Sequence, residues 1–182
     1  MKLIILDRDG VINEDSDDYI KSPDEWIPIP GSLDAVARLK HAGYSVAIAS
    51  NQSGIARGYF SLETLAAMSV KMNDMLAPLG GRIDAMFFCP HGPNDGCECR
   101  KPRPGMLIET GNRFQTSLEN VLFVGDNIND VKAAQAAGAK PVLVKTGKGE
   151  QTASLIAENN SMNVPVYEDL ADVVNSILEG DS

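Results

Sequence analysis

The sequence has no apolar run approaching the roughly 18 consecutive residues a membrane-crossing helix needs. Met1-Lys2 is followed by only four apolar residues before Asp7, too short for the core of a signal peptide, so a soluble, cytoplasmic protein is expected. Positive charge is also short. The chain carries 16 Lys and Arg against 25 Asp and Glu, a net charge of −9, with no long basic cluster. That excludes the electrostatic footprint of a nucleic-acid or anionic-membrane binder. Cysteine is scarce and odd in number. All three lie between Cys89 and Cys99, unlike the disulfide framework of a small secreted domain. Nothing large is inserted between Gly10 and the second predicted strand, or between Gly54 and the third, so there is no room for a cap domain. With 182 residues and 43% hydrophobic content, one domain spanning residues 1–182 is expected, burying roughly 70% of its unfolded surface.

What is present is organised around the opening segment. Leu3-Ile4-Ile5-Leu6 is continuously apolar, as a central parallel strand covered on both faces should be, and it ends at Asp7-Arg8-Asp9-Gly10. In extended chain Asp7 and Asp9 project to the same side, about 6.6 Å apart, placed to share a hard cation. Read alone, Asp-x-Asp-Gly is equally a strand followed by a turn.

Residues 11–31, with three prolines and the only tryptophan, Trp26, show no period and read as a loop or small flap. Ser32 is the expected N-cap of a helix through Leu33, Val36 and Leu39, closed by Gly43. A second strand, Ser45 to Ala49, ends in the polar tip Ser50-Asn51-Gln52. A helix capped by Ser61 carries Leu65, Met68, Met72, Met75 and Leu76 on one stripe, expected to be core. Strands follow at 83–88, 121–124, 141–144 and 164–167, with helices at 105–114, after Asp130, at 150–159 and at 170–178. The alternation predicts an α/β fold, a doubly wound, three-layer, Rossmann-like parallel sheet. In the common order 3-2-1-4-5 the switch point lies between the first and fourth strands, bringing Asp126 and Asp130 beside Asp7 and Asp9. Carboxylates converging in an acidic chain call for a divalent cation, and an all-oxygen set suits Mg²⁺.

Residues 89–104 form a long aperiodic loop, of the kind usually functional or pinned. Cys89, His91, Cys97 and Cys99 fall within it, with Gly92, Pro93 and Gly96 letting it fold back. They suit a closed structural Zn²⁺ site, or else a redox or disulfide pair. Lys101 is either a placed cation or one member of the solvated run Arg100-Lys101-Pro102-Arg103.

In order, Asp7-x-Asp9, Ser50, Lys101 and Gly125-Asp126-x-x-x-Asp130 resemble the haloacid dehalogenase superfamily of phosphohydrolases along the whole chain. The resemblance implies Asp7 as nucleophile forming an aspartyl-phosphate and Asp9 as general acid/base. It implies Asp7, the Asp9 carbonyl and Asp126 as Mg²⁺ ligands, with Asn127 and Asp130 in support. Ser50, Asn51, Gln52 and Lys101 would hold the phosphoryl group, and Arg57 and Arg100 the rest of the substrate. Cys89-Pro90-His91 and Cys97-Glu98-Cys99-Arg100-Lys101-Pro102 are similar to the histidinol-phosphatase-like subgroup, which carries a zinc loop here. Asp9-Gly10-Val11-Ile12-Asn13 and Ser53-Gly54-Ile55-Ala56-Arg57-Gly58-Tyr59 look like its branch acting on a heptose bisphosphate. Ser50 stands where threonine is usual and Asn127 where some members have lysine. A monomer removing phosphate from a small sugar phosphate is thereby implied, with histidinol phosphate or another small ester as the alternative substrate and a non-catalytic phosphate-binding module as the alternative class.

Overall fold

The computed structural model of the protein describes residues 1–159 and 162–180. Its frame is a parallel sheet of β1 (Leu3–Leu6), β2 (Ser45–Asn51), β3 (Ala85–Cys89), β4 (Leu122–Gly125), β5 (Lys140–Val144) and β6 (Val166–Tyr167). The spatial order is β3-β2-β1-β4-β5-β6, the expected winding extended by β6 at the edge. The helices are α1 (Ser32–His41), α2 (Leu62–Leu76), α3 (Gly105–Phe114), α4 (Ile128–Ala137), α5 (Gly149–Asn159) and α6 (Leu170–Gly180). No large cap stands over the sheet among the described residues.

Successive side chains of β1 point to opposite faces, and both faces are dry. Ile4 and Leu6 join Val36 and Leu39 of α1, Met68 and Met72 of α2 and Val173 of α6. Ile5 joins Leu107 of α3, Phe123, and Ala133 and Ala134 of α4. The small alanines let α4 lie close to the sheet. Leu6 pairs with Ile48 on one side and Val124 on the other, so β1 and β4 end almost level where the chain turns polar, and β2 runs on past them to Asn51.

Two local expectations change and a third gains detail. The N-cap of α1 is Gly31 at φ 83°, not Ser32; Ser32 is the first helical residue, and its buried hydroxyl donates to the carbonyl of Ile12 at 2.5 Å. The buried stripe of α2 runs through Leu65, Met68, Met72 and Leu76, whereas Met75, rotated about 100° from Leu76, is exposed. The 11–31 segment, expected as a loop or small flap, holds no named helix or strand and is packed down. Trp26 is fully buried, and Lys71 of α2 donates to the carbonyls of Pro23 (2.6 Å) and Trp26 (2.8 Å).

Candidate active site

At the carboxyl ends of β1, β2 and β4 lies a crevice of about 270 Å³. Asp7 enters it directly off β1, fixed by the sheet because its N–H still donates to Val124 at 2.8 Å. One carboxylate oxygen accepts the Arg8 N–H at 2.7 Å, and the other lies 3.1 Å from Lys101 Nζ. Lys101 arrives from the 90–104 loop and is itself buried. Its ammonium donates to the Ala49 carbonyl (2.9 Å), pairs with Asp130 (2.6 Å) and sits 5.3 Å from the Phe123 ring centroid. Burial opposes that charge, but Asp130 and Asp7 outweigh it and hold the lysine pKa above its ordinary value.

β4 ends at Gly125, and Asp126 follows into the crevice. Asn127 caps α4, accepting the Asn129 N–H at 3.0 Å. Asp130 closes the capping box, its Oδ2 accepting the N–H groups of Asp126 (3.1 Å) and Asn127 (3.0 Å) while Oδ1 faces Lys101. Both of its oxygens are engaged.

Oxygens of Asp7, Asp126 and Asp130 lie within 4.8 Å of one another. Burial pushes Asp7 up to about 7, against the pull of Lys101 and with a push from Asp130 and Asp9. Burial, then Asp7 and Asp130, push Asp126 up to about 8. Carboxyls raised in this way lack compensating charge, and a hard divalent cation supplies it. The approach is tight: a Cβ on Gly10 (φ +83°) would stand 2.1 Å from Asp126 Oδ2. Asp7, Asp126 and Asp130 together form an all-oxygen group that could hold such an ion.

Asp9 stands outside this group. The chain leaves extended geometry at the turn closed by Val11 and Ile12 N–H bonds to the Arg8 carbonyl, so the Asp9 carboxylate does not join the Asp7, Asp126 and Asp130 oxygens. Asp9 is instead held by Arg8 Nη2 (2.8 Å), Asn13 Nδ2 (2.8 Å) and Gln52 Nε2 (3.0 Å). Gln52 also donates to Ser50 Oγ at 2.9 Å, joining the tip of β2 to the Asp9 carboxylate.

Asn51 lines the crevice, but its amide is occupied with the Lys101 backbone, accepting its N–H at 3.0 Å and donating to its carbonyl at 3.1 Å. Arg100 also lines the crevice, its guanidinium donating to the His91 carbonyl at 3.3 Å. Arg57 does not line it. It is exposed, 5.9 Å from the centroid of Tyr19, a crevice residue whose ring also meets Tyr59 at 5.2 Å.

Sequence reasoning missed Arg8, fully buried behind Asp9, and Lys148, whose N–H donates to Asp126 Oδ2 at 2.8 Å. Lys148 was within reach of the argument that loops after parallel strands meet at the carboxyl edge, since residues 145–149 follow β5 directly. Arg8 carried no signal, because a charge flanked by two aspartates reads as solvated.

Cys89, His91, Cys97 and Cys99 also offer ligand atoms within 4.8 Å of one another. Cys89 Sγ lies 3.1 Å from Cys99, 3.7 Å from Cys97 and 3.5 Å from His91 Nδ1; His91 Nδ1 lies 3.3 Å from Cys99. Burial, with the Cys99 contact, pushes the Cys89 thiol up to about 12; at Cys97 burial is outweighed by the Arg100 N–H and the neighbouring sulfurs, which bring it to about 7. Three sulfurs and a ring nitrogen closing on one point form a donor set for a thiophilic ion.

A family model described as HAD-hydrolase-like matches residues 98–173. A D-glycero-beta-D-manno-heptose-1,7-bisphosphate 7-phosphatase of Pseudomonas putida is 53% identical over 178 residues, covering 98% of this chain and 100% of that protein. The crystal structure of D,D-heptose 1,7-bisphosphate phosphatase from Bordetella bronchiseptica, complexed with magnesium and phosphate, is 51% identical, with a TM-score of 0.94 and 99% of both chains covered. Its counterpart from Burkholderia thailandensis is 42% identical with a TM-score of 0.75, covering 98% of this chain and 99% of that one. The chain therefore belongs to the haloacid dehalogenase-like hydrolases, as its motifs implied. Within that family it is similar along nearly its whole length to these heptose bisphosphate phosphatases.

Proposed function

We propose that the protein is a Mg²⁺-dependent phosphomonoesterase that removes the 7-phosphate of D-glycero-D-manno-heptose 1,7-bisphosphate. The observation that carries the reading is Lys101 Nζ between Asp7 and Asp130, beside Asp126, at the switch point of the sheet. It puts a nucleophilic carboxylate, a fixed cation and a divalent-metal seat in one crevice.

Asp7 and Asp126 would hold Mg²⁺, joined by the Asp9 carbonyl, and the bound ion supplies positive charge to the phosphoryl oxygens. The carboxylate of Asp7 attacks phosphorus, forming an aspartyl-phosphate and expelling the sugar alkoxide. Lys101 and the Ser50 hydroxyl neutralise and orient the phosphoryl oxygens, and Asp130 holds Lys101 in place. Asp9 gives its proton to the leaving oxygen and then takes one from the water that cleaves the acyl phosphate. Arg8, Asn13 and Gln52 orient the Asp9 carboxyl group for that exchange, and Gln52, shared with Ser50, links it to the phosphate seat. Arg100 faces the distal phosphate. The Cys₃His cluster holds Zn²⁺ as a closed structural site that pins the 89–104 loop and with it Lys101. No helix among the described residues is long and apolar enough to cross a membrane, and a single-domain, monomeric cytoplasmic enzyme fits the acidic surface.

Phosphate release with Mg²⁺ from both anomers of heptose 1,7-bisphosphate, against histidinol phosphate at matched concentrations, tests this. A higher kcat/KM on a heptose bisphosphate is expected; faster release from histidinol phosphate overturns the substrate, and no release from any ester overturns the enzyme reading in favour of a binding module.

A further inference from the structure

The 145–149 turn reaches the crevice from the edge of the sheet opposite the Cys/His loop. Its Lys148 makes two kinds of contact that point different ways. The backbone N–H donates to Asp126 Oδ2 at 2.8 Å, while Nζ stands 3.7 Å from both Asp15 and Asp17, which line the mouth on the segment following β1. The turn has no slack. Gly147 adopts φ +59°, where a Cβ would stand 2.2 Å from Asp126 Oδ2 and 2.6 Å from Gly10 Cα, and the Thr146 hydroxyl donates to the Gly10 carbonyl at 2.6 Å.

We propose that Lys148 is a positioning residue: its amide fixes Asp126 Oδ2 and leaves Oδ1 for the metal, and its ammonium holds residues 14–19 in place at the mouth of the crevice. The substrate half of the proposal rests on the phosphatase reading above. Without the ammonium, Asp15 and Asp17 are two uncompensated negative charges where a doubly phosphorylated anion must enter, and the segment carrying them loses its tie to the β5 side. Substrate binding weakens; metal binding, which needs only the amide, does not.

Lys148→Met keeps the amide and the apolar stem. Its KM for heptose 1,7-bisphosphate should rise about fivefold, the scale of a partly exposed ion pair, and Lys148→Arg should restore it. Amide hydrogen exchange across residues 14–19 should quicken in Lys148→Met, while Mg²⁺ affinity measured by calorimetry stays within about twofold. Gly147→Ala, which displaces the amide, should weaken Mg²⁺ binding at least about tenfold. Unchanged KM and unchanged exchange in Lys148→Met overturn the tie, and undiminished Mg²⁺ affinity in a folded Gly147→Ala overturns the amide's role. A wild-type protein inert toward the bisphosphate overturns the functional reading alone, and exchange and calorimetry still decide the role of Lys148.

Discussion

Replacing Lys101 with methionine removes the ammonium but keeps a stem of similar length, and its consequences divide between rate and stability. The lost charge is the buried ammonium 3.1 Å from Asp7, the proposed nucleophile. Deleting one such preorganised group at a developing charge costs about 10²–10³ in kcat, or about 3–4 kcal/mol. For stability, the change leaves Asp7 and Asp130 buried without their shared partner, and breaking a buried pair costs about 3–5 kcal/mol when the remaining charge has no escape. Asp7 has one. Burial already holds its pKa at about 7, and Lys101 is what pulls it down, so the variant's pKa is higher still. A carboxyl raised above its unfolded value contributes stability that is present at low pH and lost as pH climbs to the folded pKa. In metal-free wild-type protein that loss ends near pH 7; in Lys101→Met it continues. The stability gap between the two should therefore be flat below about pH 7 and widen above it by up to about 1.4 kcal/mol per pH unit. Urea unfolding in EDTA at about pH 6 and about pH 8.5, alongside phosphate release at saturating Mg²⁺, measures both effects. A gap that does not change with pH, or a kcat within about fivefold of wild type, would refute the reasoning.

Arg8→Met should lower stability by about 2–3 kcal/mol, because Asp9 is only partly exposed and loses its cation; a loss below about 0.5 kcal/mol in urea unfolding would mean the pair holds nothing. Metal-free wild type should lose stability as pH rises from about 4 to 8, since burial raises both Asp7 and Asp126, so the thermal shift produced by Mg²⁺ should be larger at pH 8 than at pH 6. A shift that is the same at both pH values contradicts this. Metal analysis of protein purified without added zinc should find about one Zn²⁺ per chain, and Cys99→Ala should lose it together with several degrees of Tm. A wild-type chain holding no zinc but a Cys89–Cys99 disulfide would reject the structural-metal reading.

The sheet was legible because its determinants are local. Leu3–Leu6 and Val121–Val124 are apolar runs ending in acidic tips, and parallel winding leaves few ways to arrange them. Asp7 and Asp126 could be brought together because topology carries strand ends to one edge, whereas Lys101, one residue of a basic run, drew its role from the resemblance. Geometry that depends on partners far apart in sequence was not. Nothing around Arg8 announces that it folds back on Asp9 with Gln52, 44 residues further on, at its other side. Asn51 reads as a phosphate ligand, and nothing near it in sequence shows that its side-chain amide is tied to the Lys101 backbone. The alternation that placed Asp7 and Asp9 on one side holds only for extended chain, and the chain is already turning at Asp9.

The Cys/His cluster and the carboxylate crevice share a short stretch of backbone, Cys99 to Lys101, so the chain presents sulfur and oxygen donors side by side. A thiophilic ion and a hard one are sorted between the two by ligand chemistry alone. If both sites bind as proposed, the molecule has a window of metal supply rather than a threshold. On the proposed assignments, scarce zinc would loosen the strap that carries Lys101, while abundant zinc, which also accepts carboxylate oxygens, would compete for Asp7 and Asp126.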